Sequence, residues 1–192
     1  MKNHPIVLGI DDATFRLKEG SKFTFLIGVI CQGTRLVKVE KRKIEIDGKN
    51  ATCKIIDMIK KNKKHIQYVL THTITFGGFN LINMKEVYAK TKKPLICIAE
   101  REVDLDSVKT ALIHRFPDTY KNKLTHIINA GDLYKSEIST AAGTSNVYFH
   151  KIGITLIEAH ELLEKSCIDS KLPEAVRIAH IIGRIFRDYD SK

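Results

Sequence analysis

The sequence lacks most of the features that would assign it to a special class. Its longest strongly apolar stretch, Phe23 to Cys31, falls far short of the ~18 residues a membrane-spanning helix needs. Four prolines and eleven glycines are too few for a low-complexity or fibrous chain, and no internal repeat is visible. The four cysteines, Cys31, Cys53, Cys97 and Cys167, contain no Cys-x-x-Cys pair, which excludes zinc-knuckle and thioredoxin-type motifs. Each sits among apolar neighbours and is expected to be a buried, reduced thiol. Walker and dinucleotide glycine loops are absent, as is a nucleophile elbow. His160-Glu161-Leu162-Leu163-Glu164 lacks the second histidine of a zinc-protease helix. Asp11 and Asp12 interrupt the N-terminus before an export-signal core can form, so the expected location is the cytoplasm, with no membrane partner.

What remains is the composition of a soluble globular protein. The 192 residues are 43% hydrophobic and 28% charged, consistent with a single domain over 1–192. Lys and Arg outnumber Asp and Glu by 32 to 22, and the excess is localised. Residues 35–64 hold eleven basic residues, including Lys41, Arg42, Lys43, Lys60 and Lys61, against four acidic ones. A concentrated basic surface attracts polyanions through counterion release, which makes DNA or RNA the leading macromolecular partner. A lysine-rich solvated face is the competing explanation.

Hydrophobic patterning predicts alternating strands and helices. Pro5 to Ile10 reads as a buried strand that delivers Asp11 and Asp12 at its end. A turn is expected at Lys18-Glu19-Gly20-Ser21. Phe23 to Cys31, apolar in both alternating sets, reads as a central strand, and Leu36 to Ile46 as a more exposed, basic strand near an edge. Asn50 is positioned to cap a helix whose Ile55, Ile56 and Ile59 face inward. Ile66 to Phe76 reads as a β-rich run, broken by Gly77-Gly78-Phe79-Asn80. A short helix follows over about 83–90, then a strand at Pro94 to Ala99 and an amphipathic helix at Asp104 to Phe116. Short strands are expected at Leu124 to Ile128 and Val147 to Lys151. Helices close the chain at Thr155 to Ser166 and after Pro173. The predicted fold is α/β, a mixed sheet with helices on both faces.

Strand-end carboxylates such as Asp11 and Asp12 can hold a divalent cation, or cap backbone amides in a turn. Gly9-Ile10-Asp11-Asp12, Asp47-Gly48-Lys49-Asn50-Ala51-Thr52, Ile74-Thr75-Phe76-Gly77-Gly78-Phe79-Asn80 and Leu172-Pro173-Glu174-Ala175-Val176-Arg177-Ile178-Ala179-His180, in this order and spacing, resemble the largely archaeal family known as domain of unknown function 99. That family is related in fold to endonuclease V within the ribonuclease H-like superfamily. The resemblance covers nearly the whole chain. It implies Mg²⁺- or Mn²⁺-dependent cleavage of phosphodiesters near deaminated bases, particularly inosine, with Asp11 matching the first-strand metal ligand. Asp12 and Asp47 are read as its catalytic helpers. The chain departs from the pattern where family members often carry Asp-Gly before Ile-Thr-Phe, having His72-Thr73 instead. Asn50 and Asn83 stand where aspartates are common, and the tail Arg187 to Lys192 is atypical.

His72 reads either as a metal ligand replacing a carboxylate, with Asp11, Asp12 or Asp47 completing the site, or as a histidine satisfied by local hydrogen bonds. In the last helix Arg177, His180, Arg184 and Arg187 share one face. They form a phosphate-contacting stripe, or Arg177 pairs with Glu174 three residues away. The superfamily resemblance places Glu174 and His180 close to the metal site as supporting residues. Gly77, Gly78 and Asn80 are candidates for backbone approach to a phosphate or base. Two alternatives to the endonuclease remain open: a catalytically degenerate nucleic-acid-binding or scaffold protein, and a homodimerising assembly module.

Overall fold

The computed structural model describes residues 1–15, 20–99, 102 and 104–186. Lys18 and Glu19 of the expected turn, Arg187 of the basic stripe and the rest of the tail lie outside the described residues. No helix among the described residues is long and apolar enough to cross a membrane.

The chain runs β1 (Ile6–Asp12), β2 (Phe23–Gln32), β3 (Arg35–Glu45), α1 (Ala51–Lys61), β4 (Tyr68–Thr71), β5 (Thr75–Phe76), β6 (Asn80–Leu81), α2 (Met84–Thr91), β7 (Leu95–Ala99), α3 (Leu105–Arg115), α4 (Tyr120–Asn129), β8 (Tyr134–Thr140), β9 (Gly143–Ile152), α5 (Leu156–Ser166) and α6 (Glu174–Ile185). Seven strands form one mixed sheet in the order β3-β2-β1-β4-β7-β9-β8, and β5 and β6 form a separate hairpin. β1 pairs with β4 and β4 with β7 in parallel, whereas the flanking pairs are antiparallel. The basic strand β3 is an edge, as its exposed, basic character predicted.

Each face of the sheet carries its own apolar layer, because alternate side chains of a strand point to opposite faces. Leu8 and Ile10 of β1 pack with Ile55, Met58 and Ile59 of α1 and with Met84 and Val87 of α2. Val7 of β1 and Ile27 and Val29 of β2 pack on the other face, with Ala159, Leu162 and Leu163 of α5 and Ala175, Val176 and Ala179 of α6. Leu112 of α3 and Ile127 of α4 join Leu81 and Phe79 in a smaller cluster.

α6 lies directly on β1. A Cβ at Gly9 would stand only 2.3 Å from the Ala175 carbonyl carbon, and one at Gly183 only 2.8 Å from the Asp12 carbonyl oxygen. Glycine at both contacts lets helix and strand backbones approach.

Several local expectations are corrected. Leu124 to Ile128 is not a strand but the middle of α4. Its β-branched residues suggested a strand, yet Lys123 and Ile127, four apart, bury one helical face. β8 was not anticipated. Asn50 occupies the N-cap position of α1 without capping it. Its Oδ1 instead accepts from the Glu45 N–H and the Asn80 side chain, while Asn80 Oδ1 accepts from the Ala51 N–H at 2.9 Å. The α1 cap therefore comes from thirty residues downstream. Cys53 is exposed, unlike the other three cysteines, which are buried. Burial pushes the Cys31 thiol up to about 11 and the Cys97 and Cys167 thiols to about 12.

Candidate metal centre

The sheet topology brings three chemistry-bearing residues together. β1 delivers Asp11, and its parallel neighbour β4 ends one residue before His72, whose N–H donates to the Ile10 carbonyl at 3.1 Å. α6, seated on Gly9, carries His180 onto the same point. Asp11 is 2% exposed, and its Oδ2 is approached by His72 Nδ1 at 3.2 Å and His180 Nδ1 at 2.8 Å. The imidazole rings meet edge to face at 5.5 Å. Ligand atoms from Asp11, His72 and His180 all lie within 4.8 Å of one another, the arrangement of a three-donor metal site. The Asp12 N–H donates to Asp11 Oδ1 at 2.9 Å, orienting the carboxylate.

The donor set tests which ion fits. One carboxylate and two imidazoles suit a divalent transition-metal ion; Mg²⁺ favours all-oxygen coordination with several waters. His72 and His180 thus belong to the centre geometrically, and His180, expected only as a supporting residue, lies within bonding reach of Asp11. Its helix periodicity was visible in the sequence, but contact with a residue 169 positions earlier was not.

The other expected acids lie elsewhere. Asp12 Oδ2 accepts from the Gly77 N–H at 2.6 Å, so this carboxylate anchors the glycine turn. Burial pushes its pKa up to about 6, the Asp11 charge adding to the rise and the Gly77 bond opposing it. Asp47 is not in the three-donor group either. Its N–H donates to the Gly77 carbonyl, its Oδ1 accepts from the Phe79 N–H at 2.8 Å, and its Oδ2 pairs with Arg115 at 2.6 Å. Gly77 and Gly78 have φ of +52° and +83°, and a Cβ on Gly78 would stand 2.3 Å from Asp47 Oδ1. The two glycines therefore build a turn clasped by Asp12 and Asp47. Asn80, expected at the nucleic-acid surface, is completely buried and bonded to Ala51, Glu45 and Asn50.

Lys123, which sequence reasoning missed, closes this turn from α4. Its Nζ donates to the carbonyls of Asp47, Gly48 and Phe79 at 3.0, 3.1 and 2.7 Å. Burial lowers its pKa, partly offset by the Asp47 charge.

The basic residues divide between two faces, a correction to the single patch read from residues 35–64. Arg42 turns toward α1 and pairs with Asp57 at 2.6 Å and Glu40 at 3.3 Å. Lys61 joins Glu40 at 3.6 Å, and Lys60 is exposed on the same helix. Lys41 and Lys43 point to the opposite face. Lys41 lies over Phe25 and Phe186, and Lys43 lies 4.0 Å above the exposed Phe23 ring. Lys41, Ile27 and Asp11 form one transverse row across β3, β2 and β1. At ~4.8 Å per strand, that row puts the Lys41 backbone about 10 Å from Asp11 on the same face. Arg177 is held by Glu174 through two bonds of 2.8 and 2.7 Å, and Arg184 is exposed.

Comparison with known proteins identifies the family and the fold. Residues 5–187 match the family described as Endonuclease dU. The chain belongs to the Endonuclease dU family. UPF0215 proteins of Pyrococcus horikoshii and Methanocaldococcus jannaschii are each 32% identical to it over 188 residues, covering 97% of this chain and 94% and 96% of theirs. A crystal structure of a protein of unknown function from Archaeoglobus fulgidus superposes with a TM-score of 0.80 at 28% identity, covering 93% of this chain and 96% of that one. Ciona intestinalis endonuclease V, in complex with a 24mer DNA containing an inosine followed by a ribo-adenosine, gives a TM-score of 0.63 at 11% identity over 98% of this chain and 87% of that one. Human endonuclease V gives 0.63 at 15%, over 100% and 87%. This Endonuclease dU family member thus has the endonuclease V fold of ribonuclease H-like type.

Proposed function

We propose that this protein is a metal-dependent endonuclease that incises nucleic acid beside deaminated nucleotides. The observation that carries the reading is the convergence of Asp11, His72 and His180 at the C-terminal ends of two parallel central strands. The family description supports deoxyuridine as the first substrate to try, and the inosine-containing DNA bound by the Ciona structural neighbour supports inosine as the second. The two imidazoles support Mn²⁺ over Mg²⁺ as the working ion.

In this mechanism the buried Asp11 carboxylate, with His72 and His180, would hold the ion. A bound divalent cation supplies charge neutralisation at a scissile phosphate and lowers the pKa of an attacking water. Lys41 and Lys43 bind flanking phosphates on the same face, with Phe23 beside them as a stacking surface. Asp12 and Asp47 hold the glycine turn in register with the centre. The hydrogen bond-length contacts of Asp11 with both histidines also support a second reading, a binding protein whose former catalytic site is closed on itself.

End-labelled DNA and RNA containing deoxyuridine, inosine or neither, incubated with Mn²⁺ or Mg²⁺, separates the readings. The endonuclease predicts metal-dependent incision at the deaminated nucleotide that Asp11→Asn abolishes without unfolding the protein. Absence of incision by folded wild-type protein, with salt-sensitive binding retained, would favour the binding protein.

A further inference from the structure

A concentration of positive charge lies away from the metal centre. Around the end of α1 the chain reads Lys60-Lys61-Asn62-Lys63-Lys64-His65, and around the end of α2 it reads Lys90-Thr91-Lys92-Lys93. The fold joins the two runs. Lys93 Nζ donates to the Ile66 carbonyl at 2.6 Å, and burial and the neighbouring Lys63 charge lower its pKa. Lys38 of β3 reaches the same corner, its Nζ donating to Asn62 Oδ1 at 2.8 Å.

This corner stands at the opposite end of the sheet from Asp11. The Gln67 N–H donates to the Ile6 carbonyl and the Val69 N–H to the Pro94 carbonyl, so the lysines gather where β1, β4 and β7 begin, whereas Asp11 and His72 stand where β1 and β4 end. Five steps along β1 separate Ile6 from Asp11, about 16 Å at ~3.3 Å per residue. The faces differ as well. α1 and α2 pack against Leu8 and Ile10, while α6, which carries His180, packs with Val7 on the other face.

The charge at this corner is not balanced from within. Lys61 pairs with Glu40 and Lys90 with Glu86, but among the described residues Lys60, Lys63, Lys64 and Lys92 pair with no carboxylate, and all four are exposed. Stabilising surface networks set opposite charges side by side. The pull of a helix dipole fades within the last turn, and Lys63 and Lys64 lie beyond the C-cap Asn62. Like charges held together oppose folding, and a bound polyanion removes that cost.

Composition selects the kind of polyanion. No large apolar side chain is exposed in residues 60–66 or 84–93. A protein partner meets an apolar and aromatic core from which lysine is depleted, and stable attachment to an anionic membrane needs an apolar anchor beside the basic patch. Phosphates need neither, because lysines neutralise them as point charges without reading sequence.

We propose that the corner formed by Lys60, Lys63, Lys64, Lys92 and Lys93 is a second nucleic-acid surface, which takes the phosphate backbone of a duplex segment other than the one at Asp11. Duplex DNA, with a persistence length of ~150 bp, does not fold back from one end and face of this sheet to the opposite end and face, so the protein bridges two segments. The bridge requires neither metal nor incision. Its consequence is to hold the Asp11 face at a high effective concentration near the rest of the nucleic acid.

The test captures the full chain, without metal, on an immobilised short duplex at low salt and then supplies a second, fluorescent duplex. Wild type is expected to retain the second duplex, with an affinity that falls about fortyfold on a fourfold rise in salt if three phosphates are contacted, at ~0.9 per contact. Lys63→Gln, Lys64→Gln and Lys92→Gln combined are expected to abolish retention of the second duplex while the first still holds the protein. No retention by wild type, or retention unchanged in the triple variant, would overturn the proposal. Tighter binding to phosphatidylserine vesicles or to polyglutamate than to duplex at equal salt would also overturn it, giving the corner to a membrane or to an acidic protein. Incision without retention of a second duplex would overturn the proposal and leave the endonuclease reading intact, whereas retention without incision would uphold the corner and count against the endonuclease.

Discussion

Replacing Gly9 with alanine tests how α6 is held on the sheet. The added methyl would sit 2.3 Å from the Ala175 carbonyl carbon, 2.5 Å from the Val176 nitrogen and 2.6 Å from the Ala175 oxygen. Carbon atoms pack favourably at ~3.5–4.0 Å, so α6 must retreat by about 1.2 Å or more. All three obstructing atoms are backbone, and no rotamer change relieves the contact. Overpacking costs about 1–3 kcal/mol, and a backbone collision between two central elements belongs at the upper end, near ~3 kcal/mol. The displacement also reaches the centre. If α6 moves as a body, the 2.8 Å separation of His180 and Asp11 opens to about 4 Å, beyond hydrogen-bond range. Urea unfolding should show a lowered midpoint with an unchanged slope, and Mn²⁺ titration should show weakened binding. A Gly9→Ala protein within ~0.5 kcal/mol of wild type and with unaltered metal affinity would refute the claim that this contact sets the geometry of the centre.

Three further outcomes follow from interactions elsewhere. Lys123→Met strands the carbonyls of Asp47, Gly48 and Phe79 that its ammonium now satisfies, and should cost about 1–3 kcal/mol in chemical unfolding. Alanine at both Lys41 and Lys43 should reduce the slope of log affinity against log salt for single-stranded nucleic acid by about 1–2, at ~0.7 for each phosphate left without its lysine, whereas alanine at Arg42, held by Asp57 and Glu40, should leave that slope nearly unchanged. Because burial lowers the His150 pKa below its ordinary 6.5, the unfolded chain takes up a proton that the folded chain refuses. The stability from this residue is therefore complete above about pH 6.5 and is lost as pH falls toward the folded value. The difference in unfolding free energy between wild type and His150→Gln should shrink over that window.

Periodicity and β-branching were enough to reveal most strands, the edge position of β3 and the amphipathic terminal helix. They failed at Leu124 to Ile128, where local β propensity was overridden by the helical burial of Lys123 and Ile127. Asp11 was legible as a strand-end carboxylate, and His72 as an unusual residue beside it. The partner from α6 was legible only through the family resemblance, and there as a supporting residue, because its direct contact with Asp11 depends on Gly9 and Gly183 admitting the helix, and sequence shows a glycine without showing what approaches it. The Asn50–Asn80 exchange misled for the same reason: Asn50 has the right identity and position for a cap, but the bond to Ala51 comes from Asn80 across the fold. Composition located the basic segment but could not divide it. The pleat of β3 sends Lys41 and Lys43 to the Asp11 face and Arg42 to α1.

The most direct test of the central claim is the ligand count of the bound ion. Mn²⁺-loaded protein, measured by electron spin-echo envelope modulation, should show coupling to two imidazole nitrogens, reduced to one in His72→Ala and in His180→Ala, with binding lost in Asp11→Asn. Modulation without nitrogen coupling, or a spectrum unchanged by either histidine substitution, would contradict the assignment of Asp11, His72 and His180 as a metal centre.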